Sequence, residues 1–343
     1  MNMRFINITV SIGLVAILVG CISWGEDKSS ASKISVTDSN SLDTLIYSDP
    51  QNYSKTLEST DPANNFEVSN YKDILALFEE LNYTREAWQS GIREVPRVYL
   101  PLIGEKWGAG RSDELTVENK KRLFFRASAP LILRANELIM VDRNRLKDIR
   151  SSDKKNAAIS EKDRSWILKL AKVYKVDAED GQVTSTVIDA LWKKVDIVPA
   201  SLALAQAAEE SGWGTSRFAA QGNAVYGQWT WGSNAITPEK QRKELGNYGI
   251  ASFETLQQSI CAYMLNLNTH NAYASLREKR AELREKDEKI TGNILAGQLT
   301  KYSERGEEYV KSLRSLMEYN KLGPTDEAYL SKDDPIYLVQ KAE

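Results

Sequence analysis

The stretch "VPASLALAQAAEESGWGTSRFAAQGNAVYGQW", residues 198–229, decides how this chain is read. Pro199 suits the first turn of a helix and Gly212 the position just past its end, so a helix is predicted over about Ala200–Glu210. Glu210 shares a face with Ala203, Gln206 and Ala207, whereas Glu209 shares one with Leu202, Ala205 and Gln206. Both acids fall in the last turn, where the negative end of the helix dipole disfavours ionisation. Partial burial beside the alanines and Trp213 would raise a carboxyl pKa further.

Two acids before a glycine cap are an ordinary surface feature. The residues beyond the glycine give them more weight. Trp213, Trp229 and Trp231, three of the eight tryptophans, lie with Tyr226 in a loop that also holds Asn223 and Gln228. Sugar rings stack on aromatic faces, and amide side chains bond hydroxyl and N-acetyl groups. A carboxylic acid kept protonated near neutral pH is what cleavage of a glycosidic bond requires, because the leaving oxygen must receive a proton.

Composition narrows the alternatives. The 343 residues carry a net charge of −2, which argues against a nucleic-acid binder acting through a general basic field. One histidine and two cysteines leave little material for a zinc site or a histidine-based triad, so no metal and no organic cofactor is implied. His270, in "NLNTHNAY", reads as a turn between helices with the ring capping or packing. Cys261 reads as a buried helical thiol.

The N-terminus has a positive start, an apolar run over Ile6–Gly20 and then "LVGC", ending at Cys21. This resembles the bacterial lipobox: residues 1–20 are expected to be a lipoprotein signal peptide and Cys21 a lipidated anchor. Ile22, in place of Asp, points to an outer membrane, facing the periplasm. Residues 21–70 are then expected to be the lipidated cysteine and a disordered tether. Residues 71–160 read as an N-terminal helical extension, with an exposed connection from Arg150 to Arg164. A helical domain comes next over 161–322, with a short hairpin near Gly227–Gly232, and residues 323–343 read as a loose tail. The fold class expected is mainly α, with a small β insert lining a groove.

Residues 201–229 resemble the Bax-type glucosaminidase family, related to the flagellar and autolysin β-N-acetylglucosaminidases of lysozyme-like fold. The segments "VPRVYLPLIG" (95–104), "KRLFFRASAPLILRANELIMVDRNRL" (121–146) and "DALWKKVDIVPASLALAQAA" (189–208) resemble it upstream. Downstream, "ASFETLQQSICAYMLNLNTHNAYASLR" (251–277) and "LTKYSERGEEYVKSLRSLM" (299–317) do likewise. The resemblance implies that Glu210 is the catalytic acid and Glu209, at a position more often aliphatic, a surface residue. It aligns Gly222-Asn223 and Tyr226-Gly227-Gln228-Trp229 with a substrate-groove loop, although Ala224-Val225-Tyr226 departs from the usual Asn-Leu-Phe. Tyr302 matches a tyrosine placed across the cleft from the acid, expected as a catalytic residue that positions the reacting centre or stabilises charge, and Trp213, Asn223, Tyr226, Gln228 and Trp229 are the expected substrate contacts.

A second carboxylate is left open among Glu239, Glu244 and Glu254, with the substrate's own N-acetyl group as the alternative nucleophile. The expected partner of this lipid-anchored monomer is peptidoglycan or another N-acetylglucosamine-containing glycan. Rival readings are a lytic transglycosylase, a non-catalytic wall-binding lipoprotein and an endo-N-acetylglucosaminidase acting on glycoprotein glycans.

Overall fold

Helix starts obey the capping chemistry written in the sequence. In the computed structural model, which describes residues 45–52, 62–102, 116–155, 157–233, 235–239 and 248–341, Asn70 and Asp73 form a capping box. They open α1 (Tyr71–Glu80). Thr84 caps α2 (Arg85–Gln89), Thr116 caps the long α3 (Val117–Lys154), Ser160 caps α4 (Glu161–Val173) and Thr184 caps α5 (Ser185–Lys194). Helix α6 (Ala200–Ser211) begins after Pro199 and ends at Gly212 in the left-handed conformation. Ser216, Thr255 and Thr291 cap α7 (Arg217–Gly222), α8 (Leu256–Thr269) and α10 (Gly292–Ala296). Helices α9 (Ala274–Glu285) and α11 (Glu307–Tyr319) complete the set.

Helix α6 is the axis of the fold. Every residue from Ala200 to Ala208 is buried, so it has no solvent face until Glu209 and Glu210. Its alanines admit close neighbours, and α3, α10 and α11 pack around it. At its other end a Cβ on Gly292 would meet Ser201 Oγ at 2.1 Å and Leu202 N at 2.7 Å, so α10 can approach only because that residue is glycine.

The strands are short and most are paired over long sequence distances. Strand β8 (Ile336–Gln340) runs parallel between β1 (Asn65–Val68) and β3 (Val98–Tyr99), while β2 (Glu94–Val95) pairs in parallel with β7 (Tyr329–Leu330). Leu338 is buried with Ile74, Leu77, Phe78, Val98 and Leu123. A separate antiparallel sheet has β6 (Gly249–Ala251) at its centre, flanked by β4 (Trp229–Thr230) and β5 (Ala235–Ile236). The mainly α architecture with small sheet elements is the one the sequence predicts.

Several boundaries differ from that reading. The signal peptide, Cys21 and the tether as far as residue 44 lie outside the described residues. Residues 45–52, expected in the disordered tether, are instead fastened to the core: Ile46 is buried, and Tyr47 N, Ser48 N and Ser48 Oγ all donate to Asp142. Tyr174 Oη donates to Ser48 Oγ, and Trp166 Nε1 donates to the Leu45 carbonyl. The loose tail is likewise fixed. Asp326 accepts from Ser201 N, Ser201 Oγ and Gly292 N, placing a carboxylate at the positive end of α6. The hairpin expected near Gly227–Gly232 does not close on itself, because β4 pairs with β6 some twenty residues later. Helix α3 continues to Lys154, so the connection to α4 is shorter than expected.

The Lys/Glu-rich stretch from Arg277 is only partly a solvated face. Lys286 and Lys279 do pair with Glu282. Arg280, however, is fully buried and donates to the carbonyls of Lys193, Lys194, Asp196 and Ile197 at the C-terminal end of α5. The buried Asp196 carboxylate faces Arg143, Arg280 and Arg284, and these charges hold its pKa below the usual value despite burial.

Candidate active site

Glu210 stands where α6 leaves the core. The helix stops because Gly212, Trp213 and Gly214 all adopt positive φ (57°, 64° and 76°), which reverses the chain within three residues. Ser211 holds this turn: its Oγ donates to the Ala207 carbonyl and accepts from Gly214 N. The next segment then passes back across the carboxylate. A Cβ built on Gly227 would lie 3.7 Å from Glu210 Oε2, which fixes the loop against that oxygen.

The other carboxylate oxygen points inward. Tyr309 Oη, from the first turn of α11, donates to Glu210 Oε1 at 2.7 Å. Gln206 Nε2 donates to Tyr309 Oη at 2.9 Å, and Tyr263 Oη donates to Gln206 Oε1 at 2.6 Å. Burial is the main influence on Glu210 and pushes its pKa above the usual value. The Tyr309 hydrogen bond pulls it down, the Glu209 charge pushes it up, and Arg305 pulls it down again.

Glu209, one residue earlier, has a different environment. Its Oε1 accepts from Arg305 at 2.8 Å and from Ser312 Oγ at 3.2 Å. Adjacent acids therefore have different partners: Glu209 an ion pair at the rim, Glu210 a neutral donor from the interior.

Tyrosines wall the site. Tyr302 Oη donates to the Tyr226 carbonyl at 3.2 Å, and its ring lies parallel to Tyr309 with centroids 5.5 Å apart. Tyr273 packs on Tyr302, and burial together with the nearby Glu210 charge pushes its pKa up to about 12. Tyr226 stacks face to face on Tyr263 at 3.7 Å. Beyond Gly227 the loop opens to solvent: Trp229, stacked on Tyr248, is 47% exposed and Trp231 65%.

The predicted site residues thus divide. Glu210, Tyr302, Tyr226 and the Gly227-Gln228-Trp229 segment come together. Trp213 is instead turned onto α3, where it packs edge-on against Phe124 and Phe125 beneath Lys121 Nζ; burial there offsets its left-handed backbone. Asn223 is buried, and its Nδ2 donates to the Phe253 and Glu254 carbonyls. It is the left-handed cap of α7 and fixes the loop.

Of the second-carboxylate candidates, Glu239 is exposed beside Arg217, Glu254 is exposed and shares hydrogen bonds with Gln258, and Glu244 lies outside the described residues. His270 caps the turn at Asn271–Tyr273 by accepting from Ala272 N, as its setting suggests. Cys261 is buried, and burial pushes its thiol up to about 11. Among the described residues no group of three His, Cys, Asp or Glu could hold a metal ion. Sequence alone does not mark Tyr309 or Gln206 as members of the site, although helical spacing puts Gln206 on the face of Glu210.

Comparison with known proteins places the chain in a family. The family model described as "Glucosaminidase: Mannosyl-glycoprotein endo-beta-N-acetylglucosaminidase" matches residues 185–322, which contain α5 to α11 and every member of the site. Protein bax of Escherichia coli (strain K12) is 32% identical over 201 residues, covering 59% of this chain and 70% of the relative. No solved structure gives a significant match. The chain belongs to the Bax-type glucosaminidase-domain family, glycosidases acting on N-acetylglucosamine-containing glycans.

Proposed function

We propose that the protein is a β-N-acetylglucosaminidase that hydrolyses β-1,4 bonds next to N-acetylglucosamine in peptidoglycan, with Glu210 as general acid. The observation that carries this reading is the state of Glu210. It is a half-buried carboxyl whose pKa is raised chiefly by burial, with one oxygen tied to Tyr309 and the other directed at a glycine-lined loop. Such a group donates its proton to the glycosidic oxygen as the C1–O bond breaks; water then supplies the hydroxyl at C1.

The loop supplies recognition. Trp229 and Trp231 present exposed faces for sugar rings. Gln228 Oε1 is buried with no hydrogen-bond partner among the described residues, an arrangement that costs about 1–3 kcal/mol until a bound hydroxyl or acetamido N–H satisfies it. Tyr302, stacked on Tyr309 and bonded to the Tyr226 carbonyl, braces the loop beside the acid and would position the reacting centre.

The proposal includes anchoring through a lipidated Cys21 in the outer membrane, facing the periplasm, as a monomer acting on a substrate fixed in the wall. The test is digestion of purified peptidoglycan with products identified by mass spectrometry. Reducing N-acetylglucosamine ends are expected. Anhydro-muropeptide ends would replace hydrolysis by transglycosylation, and cleavage confined to glycoprotein glycans would overturn the substrate. Loss of palmitate labelling in Cys21→Ser is expected for the anchor, and unchanged labelling would refute it.

A further inference from the structure

We infer that Tyr263, Gln206 and Tyr309 form a one-way hydrogen-bond relay that keeps the acidic proton of Glu210 on Oε2, the oxygen facing Gly227. This rests on the acid role proposed for Glu210 and adds positioning residues to it. The direction of the relay comes from counting donors. Tyr263 Oη has one hydrogen and donates it to Gln206 Oε1. That contact sets the amide, leaving Nε2 to donate to Tyr309 Oη. With its lone pair so engaged, Tyr309 directs its only hydrogen at Glu210 Oε1. The carbonyl oxygen of a carboxylic acid is a better acceptor than its hydroxyl oxygen, so the bond from Tyr309 favours Oε1 as the carbonyl and places the proton on Oε2.

The reverse arrangement is disfavoured by burial. Turning the Gln206 amide over would set Nε2 against Tyr263 Oη and strip the Tyr263 hydrogen of its acceptor. Gln206 and Tyr263 are both fully buried, and the Tyr263 ring is pressed flat against Tyr226, so water has no access to compensate. The relay begins in the middle of α6 and α8, the buried centre of the fold, and ends at Glu210, where α6 leaves it. That origin suits a device whose task is to fix a geometry.

Among the described residues, the titratable groups around Glu210 are Glu209 on its own helix, Tyr309 and Arg305 at the start of α11, Tyr302 before them, and Tyr263 and Tyr273 from α8 and the turn after it. Of these, Tyr309 alone donates a hydrogen bond to the carboxylate. Removing its hydroxyl disfavours the ionised form, so Glu210 keeps its proton to higher pH. A residue serving only to fill space would not produce that change.

The test uses Tyr309→Phe and Tyr263→Phe in the intact protein, each removing a single oxygen, with melting temperatures to confirm folding. The readout is the pH dependence of kcat/KM on a soluble peptidoglycan fragment. In Tyr309→Phe the alkaline limb is expected to move up by about one pH unit. Its kcat should fall by about twofold or more, because the proton now spreads over two oxygens, while KM stays constant. Tyr263→Phe frees the amide and should move the limb the same way by less. Folded variants whose limbs stay at the wild-type pH overturn the relay. Glu210→Gln separates the two claims: if it keeps the wild-type rate, the acid assignment itself fails. If it is inactive while the Tyr309→Phe limb is unmoved, the relay alone is wrong.

Discussion

Gly227 offers a perturbation whose two effects can be separated. Its φ is +58°, and a methyl group there would stand 3.7 Å from Glu210 Oε2. Alanine in a left-handed conformation costs about 1–2 kcal/mol, a few degrees in Tm. The contact distance itself is ordinary, so the fold need not rearrange. The approach to the acid is another matter. A glycosidic oxygen must come within about 2.6–3.2 Å of Oε2 to take its proton, and the carbons attached to it need about 3.5–4.0 Å from a methyl carbon. A methyl on the side where Oε2 opens displaces the sugar, and a displacement of about 1 Å costs on the order of 100-fold.

Gly227→Ala is therefore expected to lose about 100-fold in kcat/KM while melting only a few degrees early. Gly181→Ala is the control: its φ is +67°, nothing lies within 4 Å of the added carbon, and it belongs to the Glu179–Gly181 turn, which contributes no residue to the site described above. It should show comparable backbone strain with activity per folded molecule unchanged. The assay pairs hydrolysis of a soluble peptidoglycan fragment with calorimetry of both variants. A Gly227→Ala enzyme within about threefold of wild type would refute the claim that substrate reaches Oε2 past this glycine.

Two further predictions concern charge. Glu209 raises the Glu210 carboxyl and engages Arg305, so Glu209→Gln removes a negative neighbour and releases a positive one. Both changes favour ionised Glu210, and the alkaline limb of the pH–rate profile should move to lower pH, opposite to the effect of Tyr309→Phe. Asp142, buried beneath the 45–52 segment, has a pKa raised by burial from 3.8 to about 6. The folded state thus holds this proton where the unfolded state has lost it, and stability falls as pH rises through that window, by about 3 kcal/mol near pH 7. Denaturant titrations at several pH values should show the wild type losing stability relative to Asp142→Asn between pH 4 and 7, as about that magnitude implies.

The reach of sequence reasoning in this chain has a physical boundary. Local chemistry is legible. Hydroxyl caps, the Pro199 start and the Gly212 stop place the helices, and the expected partial burial of Glu210 accounts for its raised carboxyl pKa at the end of α6. Pairing across the chain is not. β1 and β8 lie about 270 residues apart, and nothing in a four-residue strand announces its partner. The polar 45–52 segment looks unable to fold because its stability comes from Asp142, a hundred residues away.

Trp213 misleads for a related reason. Its nearness in sequence to Trp229 and Trp231 groups it with sugar-facing aromatics, yet with its own φ at +64° its ring packs on Phe124 and Phe125. Asn223 carries a usable signal, since asparagine after Gly222 at a helix end favours the left-handed cap it forms. Tyr309 cannot be found by spacing from Glu210. It reaches the carboxylate only because α11 packs against α6.

The central claim is that Glu210 supplies the proton that breaks the glycosidic bond, and Glu210→Gln tests it most directly. The substitution keeps the shape and an oxygen to accept from Tyr309 while removing the acidic proton. The variant should fold like wild type, still bind insoluble peptidoglycan and release soluble fragments at least about 100-fold more slowly. Release at the wild-type rate would contradict the account.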